Sequence, residues 1–120
     1  MDKTRVLIAD DHPLILEGLG SLLERQDDLE VVGKATSGAE AVALALEREP
    51  DIILMDIRMP EQDGVEATRR IRHDCPHIRV IILTVYEDDA SIFNAIKAGA
   101  CGYILKDVET HQLVDSIRRA

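Results

Sequence analysis

The sequence predicts an α/β fold, a doubly wound five-stranded parallel sheet with helices on both faces. Three short runs, Val6–Ala9, Ile52–Met55 and Val80–Leu83, are apolar at every position, which is typical of strands covered on both sides. Helical patterns lie between these runs, and all four prolines fall outside the interiors of the predicted elements. Strands and helices that alternate at this spacing favour right-handed parallel crossovers.

Two weaker strands and five amphipathic helices complete the pattern. The segments Glu30–Ala35 and Cys101–Leu105 are the weaker strand candidates, Pro13 opens the first helix, and Gly99 closes the fourth. Each helix has an apolar stripe at helical spacing: Ile15, Leu19, Leu22 and Leu23; Ala39, Val42, Ala45 and Leu46; Val65, Thr68 and Ile71; Ile92, Ala95 and Ile96; Thr110, Leu113, Val114 and Ile117. Five strand–helix repeats predict the flavodoxin-like strand order 2-1-3-4-5.

The composition makes some partners improbable for this segment. Its formal net charge is −9, whereas binding to nucleic acid or to an anionic membrane needs a basic surface. One Phe, two Tyr and no Trp leave an aliphatic core and little means of stacking on bases. If the protein acts on DNA, another part of the polypeptide does so.

We expect one domain over residues 1–120. The sequence stops inside the predicted fifth helix, at Arg118–Ala120, and we interpret it as a piece of a longer protein. It shows no apolar signal region and no run near the ~18 apolar residues that span a bilayer, so we expect a cytoplasmic protein. Cys75 and Cys101 lack the spacing of metal ligands and are expected to be free thiols.

Carboxylates follow two strands that are neighbours in the predicted sheet. Asp10 and Asp11 come directly after the first strand, and Asp56 comes after the third. In such sheets ligands bind beyond the carboxyl ends of the strands where the winding reverses, here between strands 1 and 3. Three like charges there repel strongly, unless some stay protonated or a hard divalent cation binds among them. Oxygen ligands favour Mg²⁺, with Mn²⁺ as a substitute.

The ends of two further predicted strands supply a hydroxyl group and an ammonium group. Thr84 ends strand 4 and Lys106 ends strand 5, which together with the metal suits in-line attack of Asp56 on a phosphoryl group. Each residue alone has a plainer interpretation: Asp11 as a helix cap, Thr84 as a strand-end hydroxyl, Lys106 as a surface lysine. Their combination at one crevice favours the functional interpretation.

These residues resemble the receiver domain of bacterial two-component response regulators. The resemblance covers the whole chain and rests on the following residues and motifs: Val6–Asp11, Met55–Pro60, Gly64, Thr84 and Lys106. It implies a phosphorylation switch rather than an enzyme with a separate substrate. A cognate sensor histidine kinase would supply the phosphoryl group to Asp56, and the domain would catalyse only its own phosphorylation and dephosphorylation.

The resemblance also implies a role for each site residue. Asp11 would bind the Mg²⁺ ion directly, Asp10 would act through a metal-bound water, and the backbone carbonyl of Arg58 would be a further ligand alongside Asp56. Thr84 and Lys106 would contact the phosphoryl oxygens.

His12-Pro13 and Gly102–Asp107 resemble the NarL/FixJ branch, whose usual output is a C-terminal helix-turn-helix domain that this chain lacks. DNA binding is therefore expected only of the longer protein, and phosphorylation could be accompanied by homodimer formation. Tyr103 matches the switch aromatic of the family, which turns inward as Thr84 follows the phosphoryl group. His12 is not expected to carry the phosphoryl group, because the donor histidine lies on the kinase.

Two departures from the common receiver pattern lie near the site. Asp107 replaces the usual proline after the lysine, which removes the chemical support for a cis peptide there, and Val85 follows Thr84 where a smaller residue is common. Arg58 and Tyr86 are placed by sequence to flank the path of an attacking water. We expect them to set the phosphoryl lifetime, with simple solvent exposure as the alternative.

Three other functions fit the sequence less well. A phosphatase of the haloacid dehalogenase type needs a second aspartate two residues after Asp56, where this chain has Arg58. A nucleotide- or flavin-binding module needs glycine and backbone amides after the first strand, where this chain has the acidic segment Asp10–Pro13. A receiver-like module that is never phosphorylated has no need of the full acidic set with Thr84 and Lys106.

Overall fold

Five strands and five helices alternate along the chain. A computed structural model describes residues 3–57, 59, 63–84, 89–105 and 110–120, with the backbone alone described at residues 84, 89–92, 105 and 110. The strands are β1 (Thr4–Ala9), β2 (Leu29–Ala35), β3 (Ile52–Asp56), β4 (Arg79–Thr84) and β5 (Gly102–Leu105). The helices are α1 (Pro13–Glu24), α2 (Gly38–Arg48), α3 (Gly64–Asp74), α4 (Asp89–Lys97) and α5 (Thr110–Arg119).

The strands form one parallel sheet in the order β2-β1-β3-β4-β5, as the sequence predicts. In the central pair Ala9 of β1 lies opposite Met55 of β3, so the residues that follow leave the sheet at the same edge. Every residue of β3 is buried. This explains why the strand is apolar at every position up to Asp56, since it has helices on both sides and neighbours at both edges.

Alternate side chains of the strands enter two separate cores. One core joins the sheet to α2 and α3 and includes Leu7, Ala9, Ala41, Ala45, Ile53, Met55, Ala67, Ile71, Val80 and Ile82. The other joins it to α1 and α5 and includes Val6, Ile8, Leu16, Leu23, Ile52, Leu54, Ile81, Leu83, Leu113 and Ile117. The predicted doubly wound architecture with an aliphatic core is therefore confirmed.

Two helical stripes differ in detail from the sequence prediction. In α2 the buried face is formed by Ala41, Val42 and Ala45, whereas the predicted Ala39 is exposed and the predicted Leu46 is 48% exposed. In α4 the predicted Ile96 is 43% exposed. Leu46 and Ile96 each directly follow a buried alanine, and one residue turns the helix by about 100°, which carries the larger side chain away from the sheet.

The helix starts show how the loops are fixed. The Ser37 hydroxyl accepts a hydrogen bond from the Glu40 amide (3.1 Å) at the start of α2, and the Asp63 carboxylate accepts one from the Glu66 amide (2.9 Å) at the start of α3. Such caps satisfy amides that have no partner within the helix. At α1 the capping position is His12, whose side chain makes no capping bond, so the interpretation of Asp11 as the helix cap is wrong.

Both cysteines are free thiols, as expected. Cys75 is buried beneath the end of α3, and its burial raises the pKa of the thiol. Cys101 is exposed although its neighbours in sequence are apolar. Within the described part of the chain, no helix has the length and apolar character that crossing a membrane requires.

Candidate metal centre

The carboxyl edge of the sheet, here the ends of β1 and β3 with the loops that follow them, brings together four side chains that could bind a metal ion. One ligand atom from each of Asp10, Asp11, His12 and Asp56 lies within 4.8 Å of the other three. Asp10 is fully buried and Asp56 is 5% exposed, whereas the side chain of Asp11 is 34% exposed and that of His12 62%. The group is therefore a shallow acidic pocket with a buried floor and an open rim.

The loop after β1 is folded back on itself by Asp10. The Asp10 amide donates to the Ala35 carbonyl (2.9 Å), which extends the pairing of β1 with β2 by one residue. Its Oδ1 atom accepts a hydrogen bond from the His12 amide (2.9 Å), a turn that a short acidic side chain favours. The His12 ring atom Nδ1 then lies 3.0 Å from Asp10 Oδ1 and 3.1 Å from Asp11 Oδ1.

The start of α3 fixes the other wall of the pocket. The Gly64 amide donates to the Ile57 carbonyl (2.6 Å), and the buried Thr68 hydroxyl donates to the Gly64 carbonyl (2.7 Å). A methyl group added at Gly64 would lie 2.0 Å from the Asp56 carbonyl oxygen. Only glycine allows the helix to begin this close to the end of β3, so residue 64 positions the backbone of Asp56.

The donor set fits a hard divalent cation. Three carboxylates share a region only 4.8 Å across, and charges at this distance repel each other strongly where water is partly excluded. Among the described residues, Asp11 Oδ1 is buried without a hydrogen bond of good geometry, and Nδ1 of His12 lies 3.1 Å from it. Carboxylate oxygens with room for water are the environment that Mg²⁺ and Mn²⁺ prefer.

The residues predicted from the sequence fall into two groups. Asp10, Asp11 and Asp56 lie together, as the strand order requires. Thr84 ends β4, where its backbone pairs with Leu105, and its side chain lies outside the described set.

Five further residues singled out from the sequence lie outside the described ranges: Arg58, Val85, Tyr86, Lys106 and Asp107. Tyr103 lies on β5 and is 51% exposed. The contact of His12 with both carboxylates was not predicted, although His12 directly follows the acidic pair in the sequence.

Comparisons with known proteins agree with this architecture. The family model described as the response regulator receiver domain matches residues 6–118. The transcriptional regulatory protein YxjL of Bacillus subtilis is 43% identical over 99% of this chain and 55% of its own length. The response regulator protein VraR of Staphylococcus aureus is 44% identical over 96% of this chain and 55% of its own length.

A solved structure gives the same result. A signal receiver domain from Mycobacterium tuberculosis that carries the name NarL superposes with a TM-score of 0.95 at 34% identity, over 99% of this chain and 96% of its own. The chain spans about half the length of the curated relatives it matches. The fold, the acidic pocket and these matches together show that the chain belongs to the response regulator receiver domain family, with NarL-type relatives.

Proposed function

We propose that this chain is a phosphorylation switch in which Asp56 accepts a phosphoryl group from a sensor histidine kinase in the presence of Mg²⁺. The observation that carries the proposal is the placement of Asp56. It ends the central strand, is 5% exposed, and lies within 4.8 Å of two further carboxylates at the carboxyl edge. A carboxylate held in this way is a nucleophile whose position is fixed before the donor arrives.

The proposed transfer conserves atoms and charge in a simple manner. A carboxylate oxygen of Asp56 forms a bond to phosphorus while the bond from phosphorus to the kinase histidine nitrogen breaks, and that nitrogen keeps the electron pair. The backbone of Asp56 is restrained because the Gly64 amide donates to the Ile57 carbonyl and α3 begins close against the carbonyl of Asp56. Pre-positioning of this kind removes much of the entropic cost of bringing the two reactants together.

The remaining residues are assigned by what they can bind. Asp11, Asp56 and the backbone carbonyl of Arg58 would hold the Mg²⁺ ion, with Asp10 acting through a bound water, and Mn²⁺ could substitute. When bound, this ion supplies positive charge that offsets the charge on the phosphoryl oxygens. Thr84 and Lys106 would contact those oxygens: Thr84 ends β4, Lys106 follows β5, and the two parallel strands end at the same edge.

The proposed output lies in a part of the protein beyond this chain. The relative YxjL is described as a transcriptional regulatory protein, and this chain spans 55% of its length. We infer a C-terminal helix-turn-helix domain that binds DNA, because a domain with a net charge of −9 is poorly suited to do so. Phosphorylation would shift a conformational equilibrium through Thr84 and Tyr103 and could promote a homodimer. A cytoplasmic location follows from a kinase partner of this class.

Incubation with acetyl phosphate and Mg²⁺, followed by intact-mass measurement, tests the proposal. We expect the wild-type mass to increase by one phosphoryl group and the increase to be absent in Asp56→Asn. Asp74→Asn removes an exposed aspartate at the end of α3 and is the matched control, which should be labelled like the wild type. Full labelling of Asp56→Asn would show that another residue accepts the group, and no labelling of the wild type would favour an unphosphorylated interaction module.

The phosphoryl lifetime is a separate part of the proposal. Arg58 and Tyr86 would border the path along which water attacks the aspartyl phosphate. Decay of the phosphorylated protein at saturating Mg²⁺ should change in Arg58→Ala and Tyr86→Ala, while Mg²⁺ affinity stays near the wild-type value because alanine keeps the carbonyl of residue 58. Equal decay rates in all three proteins would assign both side chains to solvent.

A further inference from the structure

His12 has a different environment from two other histidines of the chain. Its Nδ1 atom lies 3.0 Å from Asp10 Oδ1 and 3.1 Å from Asp11 Oδ1, so it faces two carboxylates at once. His73 faces one carboxylate, that of Asp74 at 3.0 Å, with its side chain 87% exposed. His77 is 4.0 Å from its acidic neighbour Glu49. Of these three rings, that of His12 is the one placed at the acidic pocket.

The distances around His12 are those of a hydrogen bond to Asp10, and they also match the separations of ligands that share one metal ion. Two ligand atoms each about 2.1 Å from an ion, at a right angle to each other, lie about 3.0 Å apart. The separations of Nδ1 from the two carboxylate oxygens are 3.0 and 3.1 Å. One ligand atom of Asp56 also lies within 4.8 Å of these three, so a modest shift of the side chains would let one ion contact all four residues.

The backbone holds the ring in this place for reasons unrelated to helix capping. The His12 amide donates to Asp10 Oδ1 (2.9 Å), which turns the chain so that the imidazole lies beside the acidic pair. Although His12 occupies the capping position of α1, its side chain makes no capping bond. Nδ1 lies at hydrogen-bond distance from Asp10 Oδ1, so a metal ion would take the place of that hydrogen bond, and 62% of the side chain is exposed, so the ring can move as an ion enters.

An imidazole nitrogen changes which metals a carboxylate pocket prefers. Mg²⁺ selects oxygen ligands, whereas imidazole suits Zn²⁺, Ni²⁺ and Co²⁺, whose affinities for nitrogen ligands exceed those of the earlier divalent ions. We propose that Nδ1 of His12 is a third protein ligand for a first-row transition-metal dication bound by Asp10 and Asp11. With the ring proton on Nε2, Nδ1 presents its lone pair to the ion.

The consequence is competition at one pocket. A transition-metal ion held by His12 occupies the position that Mg²⁺ needs, so it blocks the Mg²⁺-bound form rather than adding to it. This inference rests on the proposed function, because it uses the same acidic pocket. The inference goes further because it predicts that loss of His12 lowers the affinity for transition metals without changing the affinity for Mg²⁺. His12 binds the transition metal and contributes no ligand to Mg²⁺.

Titration with Co²⁺ and with Mg²⁺ tests the inference in the wild type and in His12→Gln. Glutamine keeps a hydrogen-bond donor near the two carboxylates but lacks the imidazole nitrogen. We expect calorimetry to show Co²⁺ binding at least about tenfold weaker in His12→Gln, with Mg²⁺ affinity unchanged. The visible absorption of bound Co²⁺ should also shift, because one nitrogen ligand is replaced by oxygen. His73→Gln is the matched control and should bind both metals like the wild type.

The outcomes separate this inference from the proposed function. If Mg²⁺ binds normally and Co²⁺ binds His12→Gln as tightly as the wild type with the same spectrum, the role of His12 is wrong and the proposed function stands. If Asp11→Asn and Asp56→Asn leave the affinities for both metals unchanged, the acidic pocket itself is wrong and both proposals fail. Thermal unfolding of His12→Gln without metal shows whether the variant is folded before its affinities are compared.

Discussion

At the amino edge of the sheet, each of two carboxylates accepts hydrogen bonds from a neighbouring donor. This edge is formed by Thr4, Arg5, Asp28 and Asp51 together with the end of α5. The Asp28 carboxylate accepts hydrogen bonds from Nε and Nη2 of Arg118 at 2.8 and 2.9 Å, and Asp51 accepts one from the Arg5 amide at 2.9 Å. At the carboxyl edge three carboxylates lie within 4.8 Å of one another. Aspartate carboxylates therefore accept hydrogen bonds from Arg118 or a backbone amide at the amino edge, whereas they lie close to one another at the carboxyl edge.

The electrostatic consequences differ as well. The hydrogen bonds from Arg118 hold the pKa of Asp28 below its ordinary value of 3.8, with a smaller contribution from the charge of the guanidinium. Removal of charge at Asp28 should thus weaken the fold. Removal of charge from the acidic pocket should relieve repulsion, because like charges at short range oppose folding. We therefore expect the ion pair at the amino edge to stabilise the domain, and we expect the clustered carboxylates at the carboxyl edge to lower its stability while no cation is bound.

The largest expected effect is at Gly64, which brings α3 against Asp56. In Gly64→Ala the added methyl group would lie 2.0 Å from a backbone oxygen, and a backbone atom cannot move aside as a flexible side chain can. We expect a loss of about 1–3 kcal/mol in the free energy of unfolding, measured by urea denaturation, together with weaker Mg²⁺ binding.

Gly18 in α1 provides the control for this substitution. A methyl group there meets no atom within 4 Å, so Gly18→Ala should stabilise the domain by up to about 1 kcal/mol through helix propensity. A similar stability change in both variants would mean that the approach of α3 to Asp56 is not constrained in the way described.

A smaller effect is expected from Arg118→Gln at the amino edge. Because the pKa of Asp28 is lowered in the folded protein, its pairing with Arg118 stabilises the fold above pH 3.8 and is lost as the pH falls through the folded-state pKa. Thermal unfolding should show a lower melting temperature for Arg118→Gln at neutral pH and a shrinking difference below pH 3.8. Arg119→Gln is the charge-matched control. A difference from wild type that stays constant across this pH range would contradict the role of Asp28.

The sequence predicts the cluster of carboxylates at the carboxyl edge, but it does not predict the ion pair at the amino edge. The proximity of Asp10 and Asp56 follows from strand order, because neighbouring parallel strands end at the same edge. The pairing of Asp28 with Arg118 joins residues 90 positions apart. It depends on where α5 ends relative to the turn before β2, which no local pattern encodes.

The direction in which some side chains point could not be predicted from the sequence either. The apolar periodicity predicts a stripe for α2, but the exposure of Leu46 depends on how the helix is rotated against the sheet. The position of the His12 ring depends on a turn made by its own amide with Asp10. The sequence could show that a histidine follows the acidic pair and could not show which way its ring points.

Thermal unfolding of Asp56→Asn and Asp28→Asn, each with EDTA and with Mg²⁺, tests the central claim most directly. Both substitutions remove one negative charge with little change in size. In EDTA we expect Asp56→Asn to melt above the wild type and Asp28→Asn to melt below it. Mg²⁺ should raise the melting temperature of the wild type and of Asp28→Asn, because an ion that binds only the folded state stabilises it, and should leave Asp56→Asn nearly unchanged. A lower melting temperature for both variants in EDTA, or a wild-type response of Asp56→Asn to Mg²⁺, would contradict the account.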